Sequence, residues 1–198
     1  MVTVGVLALQ GDFAAHRRAL ARLGAASVAV RKPADLAGVD ALVLPGGEST
    51  AMLRGMDRDR LEEPLADFIR SGRPVLGTCA GAILLARRVL NPPQRSFGTL
   101  DIDVERNGYG TQLDSFSAPL EAAGPLAGLL GVFIRAPRIR RVGPDVTVLA
   151  RERGEPVLVR HGAIWAATFH PELTDDDRVL RAWLADPADE SRAIATAG

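Results

Sequence analysis

Short apolar runs alternate with helix-patterned stretches through the first half of the chain, and few folds accept that rhythm. Residues 2–9 form a mostly apolar run rich in β-branched residues, as expected for a strand buried on both faces. Phe13, His16, Arg17, Leu20 and Leu23 then follow helical spacing, and Gly24 stands where a helix-ending glycine belongs. Residues 28–30 and Ala41–Leu44 read as the next strands. Leu61, Leu65, Phe68 and Ile69 give an amphipathic helix closed by Ser71-Gly72. Residues 74–78 make a fourth strand, and residues 80–89 are expected to form a helix. Strands separated by helices at this pace imply an α/β fold with a doubly wound, mostly parallel sheet. Right-handed crossovers place helices on both faces of such a sheet.

From residue 100 the texture changes. Residues 100–106, 116–120, 132–135, 146–151, 157–161 and 163–169 are strand-like runs with short turns between them. They predict an antiparallel section added to one edge of the parallel sheet. A last helix is expected from Thr174, with Asp177 at the capping-box spacing and Val179, Leu180, Trp183 and Leu184 as its apolar face. Pro187 cannot continue it. Without an internal repeat or linker, residues 1–186 read as a single domain and residues 187–198 as a polar tail.

Bulk properties narrow the function classes. The net charge is +0, so no field draws the chain toward nucleic acid or anionic lipid. No apolar run approaches the roughly 20 residues that span a bilayer, and the N-terminal residues lack a signal-peptide pattern. Cys79 is the single cysteine, so no internal disulfide can form and a reducing cytoplasm is the expected location.

That cysteine lies in Gly77-Thr78-Cys79-Ala80-Gly81, between a predicted strand and a predicted helix. The pattern is that of a nucleophile elbow with Cys in place of Ser. A sharp strand-to-helix turn lifts the nucleophile above the sheet edge, and the flanking glycines avoid collisions there. The helix N-terminus favours thiolate, and the amide of Ala80 is placed to stabilise an oxyanion. The competing reading is a small buried hydrophobe.

A thiol nucleophile needs a base, and the base needs an orienter. Of the three histidines, His16 reads as lying on a polar helix face and His161 precedes a turn glycine, so both read as solvated. His170 ends an apolar strand and is followed by Pro171 and Glu172. In an extended segment residues i and i+2 share a side, so Glu172 can fix the imidazole while its free nitrogen faces Cys79. The loop Leu44-Pro45-Gly46-Gly47-Glu48-Ser49-Thr50 follows the third strand and can supply a second oxyanion amide, at Gly47. The plainer reading is a strand–turn–helix junction with Ser49 or Thr50 as N-cap. No Cys/His cluster has metal-ligand spacing, so neither a metal nor a cofactor is expected.

These segments, in this order, resemble the class I glutamine amidotransferase family. The resemblance is closest to the glutaminase subunits of pyridoxal 5′-phosphate synthases. It is carried further by Gly5-Val6-Leu7-Ala8-Leu9-Gln10-Gly11, Val104-Glu105-Arg106-Asn107-Gly108-Tyr109-Gly110 and Asp114-Ser115-Phe116. Gly131-Val132-Phe133-Ile134-Arg135-Ala136-Pro137 and Phe169-His170-Pro171-Glu172-Leu173 match as well. The resemblance implies a Cys79–His170–Glu172 triad, with glutamine held by Gly47, Glu48, Ser49, Arg106, Ile134 and Arg135. It also implies that the ammonia passes to a synthase subunit in a hetero-oligomer, to be used with a pentose phosphate and a triose phosphate. Arg138 departs from the pattern, which commonly has histidine there. The rival readings are a glutaminase subunit of another pathway, such as imidazole glycerol phosphate synthase, and a non-catalytic cysteine sensor or chaperone of similar fold.

Overall fold

The computed structural model describes residues 2–108 and 115–185. Tyr109, Gly110 and Asp114 of the quoted motifs lie outside the described residues, as does the expected tail from 187. In chain order the elements are β1 (Thr3–Leu7), α1 (Phe13–Arg22), β2 (Ala26–Val30), β3 (Ala41–Leu44), α2 (Ser49–Asp59), α3 (Glu62–Arg70), β4 (Val75–Thr78) and α4 (Ala80–Leu85). There follow β5 (Ala86–Leu90), β6 (Leu100–Glu105), β7 (Ser115–Pro119), β8 (Glu121–Ala122), β9 (Leu130–Ile134) and β10 (Arg138–Val142). The chain continues through β11 (Thr147–Glu152), β12 (Glu155–His161), β13 (Ile164–Ala167), a 3-10 turn (Pro171–Leu173) and α5 (Arg178–Leu184).

The main sheet runs β2-β1-β3-β4-β13-β12-β11-β8 among the described residues. Its first five strands are mutually parallel, and the last three continue antiparallel. The ends of β1, β3, β4 and β13 therefore all emerge at one edge, where doubly wound sheets bind ligands. Side-chain alternation splits the core between the two faces. On β3, Leu42 and Leu44 join α2, α3 and α4 on one side, while Ala41 and Val43 join α1 and α5 on the other.

Four local expectations need correcting. The helix expected over 80–89 stops at Leu85, and Ala86–Leu90 becomes a strand. Arg87 and Arg88 are exposed there and reach Asp101 and Asp103 of β6, so pairing with β6 overrides helical propensity. Not all the antiparallel strands extend the main sheet. β10, β6 and β5 form a separate three-stranded sheet, and β7 pairs with β9 in a two-stranded ribbon. β10 was not expected at all, since Arg138, Arg140 and Arg141 surround its buried Ile139. The Thr174–Asp177 capping box does not form. The Asp177 carboxylate instead takes the Arg22 guanidinium at 2.6 and 2.9 Å, and α5 begins only at Arg178, four residues beyond Thr174.

Leu42 has no solvent exposure and sits at the centre of the sheet. Leu42→Ala should therefore cost about 2–5 kcal/mol of stability, read from the urea midpoint. A loss below about 1 kcal/mol would mean that the site collapses to fill the space.

Candidate active site

β4 delivers the chain to Cys79 in a constrained state. Its amide is tied to Ala167 O of the neighbouring β13 at 2.8 Å, and α4 starts at the next residue. Between these anchors Cys79 turns with φ 48° and ψ −102°, a positive φ unusual for a side-chain-bearing residue. The turn leaves no room beside it: a Cβ on Gly81 would lie 1.9 Å from Leu44 O, and one on Gly77 2.6 Å from Gly81. The elbow glycines are thus required by close approach of backbone. The Cys79 sulfur is nearly buried, 4.0 Å from Ile134 O.

His170 follows β13 and is fastened across to β9 by its amide on Val132 O at 2.8 Å. Its Nδ1 meets Glu172 Oε1 at 2.8 Å, and both residues are buried. The i, i+2 contact expected from an extended segment is made differently. His170 caps the 3-10 turn Pro171–Leu173, which folds Glu172 back under the ring. With Nδ1 engaged by the carboxylate, Nε2 is the nitrogen left for Cys79. Burial opposes charge on His170, but hydrogen bonds and charge from Cys79 and Glu172 outweigh it and raise its pKa to about 10. Burial would likewise raise Glu172. His16, 3.3 Å from the second carboxylate oxygen, and after it His170 reverse this and hold it at about 2.

The loop after β3 closes the site from the other side. A Cβ on Gly46 would strike the His170 ring at 2.3 Å, so backbone packs directly on imidazole. Gly47 takes φ +144°. The N-cap of α2 is neither Ser49 nor Thr50 but Glu48, whose carboxylate accepts from the amides of Thr50 (3.0 Å) and Ala51 (2.9 Å). Burial is the largest influence on this carboxyl and would raise it; those amides and Arg106 together keep it below its ordinary range. Arg106 reaches Thr50 Oγ1 at 3.0 Å and lies 3.6 Å from Glu48. The Ser49 hydroxyl is buried and donates to Gln94 Oε1 at 3.0 Å. Arg135 leaves β9 with φ 43°, a second strained residue beside Cys79.

Together these pieces enclose a cleft of about 280 Å³. Cys79, His170, Gly47, Glu48, Ser49, Arg106, Ile134 and Arg135 all line it, with Gln10, Asp12, Ile83 and Asn107. Glu172 stands behind His170, and Ala80 opens α4 directly after Cys79. Donor atoms of Asp12, His170 and Glu172 lie within 4.8 Å of one another. Within this group His170 Nδ1 and Glu172 Oε1 are hydrogen-bonded to each other, so those two atoms are already engaged.

Sequence reasoning misplaced His16. It is fully buried, with Nε2 3.0 Å from Thr78 Oγ1 and 3.3 Å from Glu172 Oε2. The sequence reading put it on a polar helix face, yet its spacing to Ala19 and Leu20 places it on the apolar stripe. Asp12 and Gln10 carried no local signal, since only the fold brings their loop to the cleft. His161 is exposed, as expected, and its Nδ1 lies 2.8 Å from Asp145 O. Arg138 is engaged with Glu155 and, at 3.1 Å, with Gly108 O, away from the cleft.

A cysteine elbow backed by His and Glu, at the strand-end edge of a parallel sheet, defines an α/β protein built for thiol-based acyl transfer. The chain belongs to the SNO glutamine amidotransferase family, whose model matches residues 6–188. It is 52% identical to the pyridoxal 5′-phosphate synthase subunit PdxT of Deinococcus radiodurans, over 92% of this chain and 96% of that protein. It is 53% identical to the subunit of the same name from Koribacter versatilis, over 91% of this chain and 93% of the other. Among solved structures, one described as a glutamine amidotransferase superposes with TM-score 0.86 at 48% identity, covering 91% of this chain and 96% of that one. A putative GMP synthase subunit from Thermoplasma acidophilum, 21% identical over 99% of this chain and 98% of its own, shares the fold with TM-score 0.69.

The site makes stability depend on pH from both sides. Glu172 ionises near 2 in the fold against an ordinary 4.5, so its contribution is complete above about 4.5 and fades as pH falls toward 2. His170 titrates near 10 against 6.5, so its contribution is complete below about 6.5 and fades as pH rises toward 10. The urea midpoint of the wild type, taken relative to that of Glu172→Gln, should therefore fall on acidification below about pH 4.5. An unchanged difference down to about pH 3 would contradict a depressed Glu172.

Proposed function

We propose that this chain is the glutaminase subunit of a pyridoxal 5′-phosphate synthase, acting in the cytoplasm. It hydrolyses L-glutamine to L-glutamate and ammonia and passes the ammonia to a synthase subunit in a hetero-oligomer. The observation that carries the reading is the cleft itself. One small cavity gathers Cys79, His170 and all six residues expected to hold glutamine, from five separated stretches of sequence. The names of the two relatives, each about half identical over most of its length, favour this pathway over other amidotransferases. Among the described residues no helix is long and apolar enough to cross a membrane, which accords with such a location.

The chemistry follows from the order of groups. The Cys79 thiolate attacks the side-chain amide carbon, and the oxyanion is held by the backbone amides of Ala80 and Gly47. The protonated His170 gives its proton to the departing nitrogen, releasing ammonia and leaving a glutamyl thioester. His170 then takes a proton from water, whose hydroxide cleaves the thioester to glutamate and restores the thiolate. Glu172 holds the ring through Nδ1 and balances the imidazolium charge. The α-carboxylate of glutamine suits the guanidinium groups of Arg106 and Arg135, which can pair with it through two hydrogen bonds.

Cys79→Ala should lower glutamate release by at least about 1000-fold with the melting temperature little changed, and His170→Asn should match it. Glu172→Gln should be milder, about 100-fold, because an amide can still orient the ring. A Cys79→Ala protein that releases glutamate at the wild-type rate would remove the nucleophile assignment. The isolated subunit should also be slower than the complex. The Glu48 amide is latched onto Gln10 Oε1 at 2.7 Å, next to Gly47, and a docked partner can shift that loop. Equal steady-state rates with and without saturating synthase subunit would end the switching idea and leave the triad untouched.

A further inference from the structure

We propose that His16 is a positioning residue of this site, donating a hydrogen from Nε2 to Glu172 Oε2 and so fixing the carboxylate that orients His170. The inference rests on the reading above and concerns the same reaction. Glu172 has two oxygens in a nearly water-free place. Oε1 is taken by His170 Nδ1 at 2.8 Å. Among the described residues Oε2 has no aligned hydrogen-bond partner, and His16 Nε2 stands 3.3 Å from it. An ionised carboxylate with one bare oxygen is costly in such surroundings, and a facing N–H removes most of that cost.

The hydrogen can be placed by elimination. Nε2 faces two oxygens, Thr78 Oγ1 at 3.0 Å and Glu172 Oε2 at 3.3 Å. Without a hydrogen on Nε2, its lone pair would oppose the carboxylate, and the single Thr78 hydrogen could satisfy only one of the two. With a hydrogen on Nε2, the N–H is aligned on Thr78 Oγ1 and stands 3.3 Å from Glu172 Oε2, close enough for a small turn of the ring to share it between the two acceptors. Thr78 also precedes Cys79 in the chain, so His16 stands against both Glu172 and the residue before the cysteine from one helix. The titratable groups around this point are Glu172, His170 beyond it, Cys79 next to Thr78, and Asp12 at the cleft. Asp12 is present in every variant below and cancels from the comparison.

The experiment measures glutamine hydrolysis by the complex with the synthase subunit, across pH, for wild type, His16→Leu and His16→Gln. Rates are normalised to Cys79 sites counted with a glutamine-like electrophile, so that misfolded protein does not enter. His16→Leu should lower kcat about 10- to 100-fold, the range known when outer partners of functional histidines are lost in metal sites, with KM little changed. The acid limb of its kcat/KM profile should move to higher pH, since Glu172 loses a donor that keeps it ionised. His16→Gln, which still offers an N–H near the same place, should recover most of the rate and the wild-type limb. A purely structural His16 would reduce the number of labelled sites while leaving the rate per site and the limb unchanged, and that result overturns the proposal. Independently of any variant, nitrogen NMR of the wild-type histidines should find a hydrogen on His16 Nε2. A bare Nε2 overturns the proposal, and this measurement decides alone if His16→Leu does not fold. A wild-type complex that releases no glutamate refutes the glutaminase reading and this inference together. Hydrolysis by the wild type with an unaffected His16→Leu refutes only the role of His16.

Discussion

Cys79 keeps φ 48° and ψ −102°, a backbone state that costs a residue with a side chain on the order of 1–3 kcal/mol. Nothing at the residue itself offsets that strain. It is held from both sides, by the amide bond to Ala167 O and by the immediate start of α4, whose six residues are all buried. α4 can be so short because packing, and not its own hydrogen bonds, keeps it helical. The parallel register of β3, β4 and β13 then brings the loop after β3 and the His170 turn to the same edge as the elbow. The site is a consequence of holding one peptide in an unfavourable shape.

The second constraint is electrostatic. Glu172 is a charged group almost without water, and such a group is tolerated only when hydrogen-bonded and paired. Two imidazoles meet it, one from the start of the 3-10 turn after β13 and one from α1. The same arrangement that makes the carboxylate tolerable also stiffens it, and a stiff carboxylate is what an orienting group requires. His170 gains its affinity for a proton from charges it does not own, those of the sulfur in front and the carboxylate behind.

Much of this was legible in the sequence because the relevant signals are local. The apolar runs that became β1, β3 and β4 could be placed without knowing their neighbours, and the elbow glycines announced the turn between β4 and α4. The segment 86–90 failed because its residues suit a helix, and only the distant Asp101 and Asp103 give Arg87 and Arg88 reason to extend. β10 was hidden for a related reason. Its arginines find Glu105, Asp101 and Glu155 on other strands, partners that no window of sequence contains. At Glu48 the chemistry was visible but its owner was not: a glutamate serves as N-cap where a hydroxyl was expected. His16 was misjudged because its place in the helical period, in step with Ala19 and Leu20, was not followed.

The misjudged residue changes how the parts of the site are mechanically joined. Residues 10–12 touch the loop after β3 at three points. Gln10 Oε1 accepts the Glu48 amide, the Asp12 amide meets Gly46 O at 3.3 Å, and Gly11 lies against Gly46 so closely that a Cβ would come within 1.8 Å of its carbonyl. Gly46 in turn bears on the His170 ring at Cε1, between its two nitrogens. From the same residues the chain runs straight into α1, and one turn along it His16 bears on Glu172. The loop thus reaches the His170–Glu172 pair twice, through Gly46 to the imidazole and through His16 to the carboxylate behind it. Close-packed interiors transmit displacements and do not absorb them. Residues 10–12 therefore bear on both sides of the cleft, on the loop after β3 directly and on the His170–Glu172 pair through Gly46 and His16.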